Sequence, residues 1–200
     1  MDSPITIRTV LSDVKPVSGE HTLVEAPLNG KINLRGNPDN AAFIKGVERA
    51  LGLALPPVAN AVTSSADLRI FWLGPDEWLI HLPLKAVDEK INTLRETLVN
   101  QHVAITEVSD YFSVLELSGP QAREIIASAS PFDTRPQRFK IGQCTQTRFG
   151  HASILLWPLA EIPCFRLQIR WSYAQYVYDY LTQSIQNVEA LKTFSTPPQL

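Results

Sequence analysis

The chain contains two copies of one folding pattern, and this duplication limits its possible architectures more than any other feature. Leu34-Arg35-Gly36-Asn37-Pro38 leads from an apolar strand into a helix, and Leu117-Ser118-Gly119-Pro120-Gln121 does the same 83 residues later (119 − 36 = 83). A tryptophan-containing strand, a turn, a second strand and an amphipathic helix run from 68 to 99 and again from 153 to 185. Each copy must supply one face of a shared core.

The order of elements predicts an α+β fold made of duplicated ferredoxin-like β-α-β-β-α units. Hairpin-length links join the strands within 68–82 and 152–170, and only antiparallel strands can use links so short. We therefore expect one continuous or pseudo-symmetric antiparallel sheet with the helices packed on one side.

Composition along the chain predicts its organisation. Turn-forming and charged residues fill an extended N-terminal arm at 1–29. One duplicated domain follows at 30–190, with halves at about 30–102 and 103–190, and a C-terminal tail occupies 191–200.

Capping residues mark the predicted helix ends. Asn37 is the expected N-cap of the first helix, and Gly52 is its expected C-terminal stop. Ser118 and Ser172 each precede a glutamine by three residues, which is the spacing of a capping box. Residues 53–66 are predicted as a connection between elements.

Overall composition excludes several classes of protein. Of the 200 residues, 44% are hydrophobic and 19% are charged, as in an ordinary globular protein. A net charge of −2 creates no broad positive field, so we expect no nucleic-acid partner. The polar start Met1-Asp2-Ser3-Pro4 predicts no signal peptide, and no apolar stretch is long enough for a transmembrane helix. We expect a soluble, cytoplasmic protein.

Residue patterns typical of catalysis are missing from the sequence. The histidines form no HxH or HExxH pattern, and the two cysteines form no CxxC pair. Ser118 lacks the G-x-S-x-G context of a nucleophile, and neither Walker A nor G-x-G-x-x-G occurs. We therefore predict no catalytic, cofactor-binding or metal-binding residue on this chain, and structural or solvent-facing roles for the histidines at 21, 81, 102 and 151.

Two groups of residues are candidates for contact with another chain. Tyrosine and tryptophan bury large areas at interfaces, so we predict an interface at an aromatic group formed by Trp171, Tyr173, Tyr176 and Tyr180. The alternative for this group is packing at the edge of the core. The strand at 143–149 is polar on both faces, so it is a solvent edge or is covered by another chain. Its candidate contact residues are Gln143, Gln146 and Arg148.

Several motifs resemble those of the gamma subunit of heterotetrameric sarcosine oxidase. In the second half the resemblance includes Val108-Ser109-Asp110 and the stretches 113–124, 142–147 and 172–176. In the first half, Leu73-Gly74-Pro75-Asp76-Glu77-Trp78-Leu79 is similar to the family signature. The match covers roughly 67–185.

The resemblance implies a place in a complex of alpha, beta, gamma and delta chains. Such a complex oxidatively demethylates sarcosine to glycine, reduces oxygen to hydrogen peroxide, and releases formaldehyde or transfers the one-carbon unit to tetrahydrofolate. The resemblance places FAD, FMN and NAD on the alpha and beta chains and the folate site on the alpha chain. It implies a gamma chain without cofactor or catalytic residue, with a fold related to the aminomethyltransferase folate-binding domain.

That related fold raises a rival hypothesis, a stand-alone folate-binding one-carbon module. Related folate proteins carry a Lys-Gly-Cys-x-x-Gly-Gln-Glu motif, which Lys140-Ile141-Gly142-Gln143-Cys144-Thr145 does not reproduce. The sequence identifies no acidic residue to hold a pterin ring. The stretch 128–133 matches the gamma family loosely, since Gly-Cys-Pro-Leu-Asp is common there. A free-standing homodimeric binding protein is a third alternative.

Overall fold

Two five-stranded antiparallel sheets form the frame of the molecule. The computed structural model describes residues 8–160 and 163–195, and these residues form ten strands and four α-helices. The first half contains β2 (Gly30–Arg35), α1 (Ala41–Leu51), β3 (Val62–Ser64), β4 (Arg69–Gly74), β5 (Glu77–Leu82) and α2 (Val87–Thr97). The second half contains β7 (Phe112–Ser118), α3 (Ala122–Ala127), β8 (Thr145–Phe149), β9 (Ala152–Ala160), β10 (Cys164–Arg170) and α4 (Ala174–Ser195). The two remaining strands are β1 (Thr22–Glu25), before β2, and β6 (Ala104–Glu107), before β7.

The two halves exchange their first strands. The first sheet has the order β3-β4-β5-β2-β6, and the second has the equivalent order β8-β9-β10-β7-β1. Strand β1 precedes the first half in sequence but pairs with β7 of the second half, where Leu23 lies opposite Leu117. Strand β6 precedes the second half but pairs with β2 of the first. Each sheet is therefore complete only when both halves contribute to it.

The helices cover the outer faces of the sheets, and the inner faces pack against each other. Apolar side chains of α1 and α2 pack on the first sheet, while those of α3 and α4 pack on the second. Between the sheets, Phe71 and Leu79 of the first meet Val114, Leu155 and Trp157 of the second. The core thus has three apolar layers, each excluding water from one or two sheet faces.

The α+β class, the antiparallel pairing and the helices on one side of each sheet confirm the predicted fold class. The strands form two sheets rather than a continuous one, and each sheet has its own helical layer. The predicted connection at 53–66 also contains the three-residue strand β3. Strand β1 lies within the predicted arm at 1–29, and α4 continues to Ser195 within the predicted tail. Residues 1–7 of that arm and 196–200 of that tail lie outside the described residues, and the division into arm, domain and tail stays a prediction.

The first helix begins later than the sequence suggests. The Asn40 side-chain oxygen caps α1 by accepting hydrogen bonds from the N–H groups of Ala42 (2.9 Å) and Phe43 (3.3 Å). The prediction that Asn37 is the N-cap is wrong, because its oxygen accepts from Asp39 N–H in the preceding turn. Gly52, with φ of 69°, ends α1 in the left-handed conformation, as predicted.

Both predicted capping boxes are also wrong. Ser118 is the last residue of β7, and its hydroxyl shares a 2.6 Å hydrogen bond with the Thr22 hydroxyl on β1. The exchanged strand therefore uses the group that sequence spacing assigns to a cap, and α3 starts at Ala122. Ser172 lies inside a 3-10 turn at Trp171–Tyr173, and α4 begins after it at Ala174.

Candidate interface and inter-sheet site

Four side chains fill the centre of the layer between the sheets. His81 on β5 and Gln168 on β10 occupy equivalent positions of the two halves, and Gln168 Oε1 lies 2.7 Å from His81 Nε2. The rings of Phe71 and Trp157 pack beside this pair, with centroids 4.7 Å apart. The Phe71 centroid is also 4.8 Å from that of His81, in an edge-to-face arrangement. At this central point the two sheets are thus joined by a polar pair inside an aromatic cluster.

The electrostatic environment keeps this centre uncharged. Burial, with a smaller contribution from the positive charge of Lys31, lowers the pKa of His81 to about 3. The imidazole is therefore neutral at physiological pH, and its Nε2–H donates to Gln168. Lys31 is itself buried, and its amino group donates to the carbonyls of Asn29 (3.1 Å) and Ser109 (3.3 Å). Burial lowers the pKa of Lys31 to about 8.

A cleft of about 590 Å³ opens on one side of this filled centre. Glu77 lies in it, and the carboxylate accepts hydrogen bonds from Asn33 (2.7 Å) and Arg35 (2.5 Å). Burial alone would raise the pKa of Glu77, but these two hydrogen bonds outweigh it and hold the pKa below the usual value. Opposite Glu77, the Arg170 guanidinium lies 5.3 Å from the centroid of the Tyr111 ring. The cleft combines apolar walls with fixed charges on its rim.

The polar strand predicted as an interface lies at a sheet edge, and two of its candidate residues line the cleft. Gln146 and Arg148 of β8 face it, and the Gln146 amide donates a 2.7 Å hydrogen bond to the Leu73 carbonyl of β4. Gln143 precedes β8, and its side-chain oxygen accepts from Lys140 N–H. Gln143 and Ala61 form a bridge between the two halves. These glutamines therefore join the sheets along one seam.

The structure separates the four predicted aromatic residues into two pairs. Trp171 and Tyr173 point outward, with 37% and 40% of their surfaces exposed. Tyr176 and Tyr180 are partly buried against the core of the second half. Their hydroxyls form hydrogen bonds with backbone groups of neighbouring turns, at 3.3 and 3.4 Å. The first pair has the exposure expected of a contact surface, while the second also has a packing role within this chain.

A second pocket, which we call the Trp171 pocket, was not predicted from the sequence. It has a volume of about 350 Å³, and its lining includes Leu28, Asp110, Ser113 and Trp171. Ser113 is only 4% exposed, and its hydroxyl has no hydrogen-bond partner among the described residues. The nearby Tyr111 is 47% exposed, and its carbonyl accepts a hydrogen bond from Trp171 N–H. Two sequence signals belong to this pocket: Trp171, which is predicted above as an interface residue, and a serine in the strand interior, beside Val114 and Leu115.

The remaining side chains that could act as nucleophiles or metal ligands are not arranged to do so in the described residues. Both cysteines are free thiols, and burial raises the pKa of Cys144 to about 12, so this thiol stays protonated. Across residues 8–160 and 163–195, no three His, Cys, Asp or Glu side chains are grouped to hold a metal ion. None of the helices in this part of the chain is long and apolar enough to cross a bilayer.

The chain matches the model of the sarcosine oxidase, gamma subunit family over residues 35–187. It is 27% identical to sarcosine oxidase subunit gamma of Corynebacterium sp. strain U-96 over an alignment of 194 residues that covers 94% of this chain and 91% of the relative. The corresponding subunit of Corynebacterium sp. strain P-1 is 28% identical over 182 residues, covering 90% of this chain and 85% of the relative.

Two solved structures share the fold. A chain of heterotetrameric sarcosine oxidase from Corynebacterium sp. U-96 superposes with a TM-score of 0.82 at 24% identity, covering 90% of this chain and 95% of that one. The glycine cleavage system aminomethyltransferase T from Bartonella henselae superposes with a TM-score of 0.57 at 14% identity. This second match covers 80% of this chain and 44% of the aminomethyltransferase.

Proposed function

Since this chain belongs to the sarcosine oxidase gamma subunit family, we propose that it is the non-catalytic gamma subunit of a heterotetrameric sarcosine oxidase and supports assembly of that complex. The family match over residues 35–187 carries this proposal, because it spans both halves of the fold. The partners in the proposal are alpha, beta and delta chains in the cytoplasm. FAD, FMN, NAD and tetrahydrofolate belong to those partner chains, where sarcosine is demethylated to glycine with formaldehyde or methylenetetrahydrofolate and hydrogen peroxide as products.

The filled centre between the sheets supports this role over that of a stand-alone folate-binding module. A pterin needs a concave site with polar groups free to fix its orientation. Here His81 and Gln168 bond to each other in the middle of the layer. In the adjoining cleft, both oxygens of the Glu77 carboxylate are already engaged, by Asn33 and Arg35. The donor set fits a rigid scaffold better than a folate site.

The proposed contact surface begins with Trp171 and Tyr173. Large aromatic side chains anchor interfaces because they bury much area with little loss of conformational freedom. We place Tyr176, Tyr180, Gln143, Gln146 and Arg148 in the same proposal, as residues around this surface and along the seam between the sheets. The side chains of Gln146, Tyr176 and Tyr180 already bond to other elements of this chain, so a partner would meet a preformed surface.

Native mass spectrometry of the protein purified from its own cells tests the proposal. We expect the chain to co-purify with flavin-bearing chains, leaving little free monomer. The same measurement contradicts the proposal if it finds a lone 22.3 kDa species without flavoprotein partners. Calorimetric titration of the separately expressed chain with tetrahydrofolate tests the alternative, for which we expect no saturable heat.

A further inference from the structure

The Trp171 pocket lies where the segments that enter β2 and β7 approach each other. Leu28 precedes β2, and Asp110 precedes β7. Four apolar side chains wall the pocket: Leu28, Leu84, Phe112 and Trp171. A volume of about 350 Å³ accommodates one long side chain. The shape therefore suits insertion of a single residue from outside.

The charges around the pocket are predominantly negative. Glu107 and Asp110 line it, and two further carboxylates bond to its lining residues Thr9 and Arg8. Four carboxylates therefore lie in or next to the pocket, on Asp13, Glu25, Glu107 and Asp110. The cations there are two, Arg8 and Lys31. This excess favours a basic occupant over an acidic one.

The Ser113 hydroxyl supplies a second, independent sign of an occupant. It is buried and unpaired among the described residues, although Ser113 lines the pocket. Buried hydroxyls nearly always have a hydrogen-bond partner, because an unpaired one loses its bonds to water without replacement. A donor from an inserted side chain would restore the missing bond.

From these observations we infer that the Trp171 pocket receives an arginine side chain of a partner subunit. The arginine stem packs on the apolar walls, and its planar guanidinium stacks on Trp171. The same guanidinium pairs with the Asp110 carboxylate and donates a hydrogen bond to the Ser113 hydroxyl. This inference rests on the proposed function, because it needs a complex in which a partner chain approaches Trp171.

The test uses complex purified from cells that make this chain together with its partners. Dissociation is measured by native mass spectrometry across a dilution series at low and high salt. We expect Asp110→Asn and Trp171→Ala each to weaken retention of this chain by about tenfold. We expect the effect of Asp110→Asn to shrink as salt rises, because salt screens the lost charge pair. Asp88→Asn, at an exposed acidic residue of α2, is the matched control and should equal the unchanged chain.

Ser113→Ala separates binding from folding. In the free chain it removes a buried hydroxyl without a partner, so the melting temperature should stay equal or rise. In the complex it removes an acceptor for the inserted arginine, so retention should fall by about threefold to tenfold. A merely structural role of Ser113 would move both readouts in the same direction.

Each remaining outcome overturns a distinct statement. A complex that forms equally well with all three variants overturns the inference and leaves the proposed function standing. Loss with Trp171→Ala alone overturns the basic occupant in favour of an apolar one. Failure of the unchanged chain to form any complex overturns the proposed function and the inference with it.

Discussion

Three hydrogen bonds formed by buried or partly buried polar side chains join parts of this protein that are far apart in sequence. His81 pairs with Gln168, the Lys31 amino group bonds to the Ser109 carbonyl, and the Thr22 hydroxyl bonds to that of Ser118. A buried polar group without a partner costs free energy, so each pair stabilises the one arrangement of the halves in which both partners meet. Sequence alone did not reveal this for Gln168. Its place between Leu167 and Ile169 predicts the polar face of a half-buried strand, but the other sheet covers that face.

Replacing Gln168 with leucine should destabilise the chain by about 1–3 kcal/mol, because it leaves the His81 N–H buried without an acceptor. The free energy of unfolding in urea, measured by circular dichroism, checks this value. Gln183→Leu is the matched control, since Gln183 is exposed on α4. We expect a change within about 0.5 kcal/mol there. Equal effects at the two positions would contradict the assigned role of the His81–Gln168 pair.

The pKa of His81 predicts how stability depends on pH. It is about 3 in the folded chain against 6.5 ordinarily, so the unfolded chain binds one more proton between these values. The His81 contribution is complete above about pH 6.5 and is lost as the pH falls toward about 3. The loss has a slope of up to about 1.4 kcal/mol per pH unit. Urea unfolding at several pH values should therefore show a smaller slope for His81→Gln than for the unchanged chain. Parallel curves would show that His81 protonates freely in the fold.

Local sequence patterns predicted the helices and strands better than they predicted the helix caps and the contacts between elements. The apolar spacing of α1, α2 and α4 and the strict alternation in β10 are local signals, and the structure has these elements near the predicted positions. The caps were misassigned because asparagines stand at both 37 and 40, and because Ser118 bonds to a strand far away in sequence. The aromatic interface candidates separate for a similar reason, with Trp171 and Tyr173 in the 3-10 turn and Tyr176 and Tyr180 on α4. Helical spacing cannot show that the β8–β9 turn lies against Tyr176.

That turn gives a prediction about how α4 is held. Gly150 has φ of 56°, and a Cβ there would come within 2.2 Å of the Tyr176 hydroxyl oxygen. Gly142, with φ of 85°, has open space around the same position. Gly142→Ala should therefore cost about 1 kcal/mol from backbone strain alone, and Gly150→Ala about 1–3 kcal/mol more from the clash.

A double-mutant cycle with Tyr176→Phe checks the cause by urea unfolding. Removing the hydroxyl should recover part of the cost of Gly150→Ala and none of the cost of Gly142→Ala. If the change in unfolding free energy caused by Tyr176→Phe is the same in both alanine variants as in the unchanged chain, the clash with the Tyr176 hydroxyl is not the cause.

At the scale of the whole molecule, the exchanged strands make the two halves one folding unit. Sequence repetition predicted the duplicated α+β fold and its shared core, since both rest on local patterns that occur twice. It did not predict that β1 and β6 cross over, because either strand could pair with either sheet without changing its own apolar pattern. The Trp171 pocket could not be predicted for the same reason, since it forms only where the segments that precede β2 and β7 meet.

Leu23→Ala tests this exchange. Leu23 is fully buried against the second half, so the substitution should cost about 2–5 kcal/mol. Leu28→Ala, at a leucine with 39% of its surface exposed, should cost about 1 kcal/mol. In hydrogen exchange, amides of β7 should lose protection before those of β2, although Leu23 precedes β2 in sequence. Earlier loss in β2 would contradict the observed pairing.

The strand exchange also determines when each sheet can be completed while the chain is being synthesised. Strand β1 leaves the ribosome early, but its pairing partner begins only at Phe112. At about 5–20 residues per second, translation leaves β1 without that partner for several seconds. The first sheet likewise lacks β6 until residue 107 has emerged. We therefore expect the nascent polypeptide to remain bound to chaperones until β7 has emerged from the ribosome. A ribosome that stalls before that point should release only non-native chain.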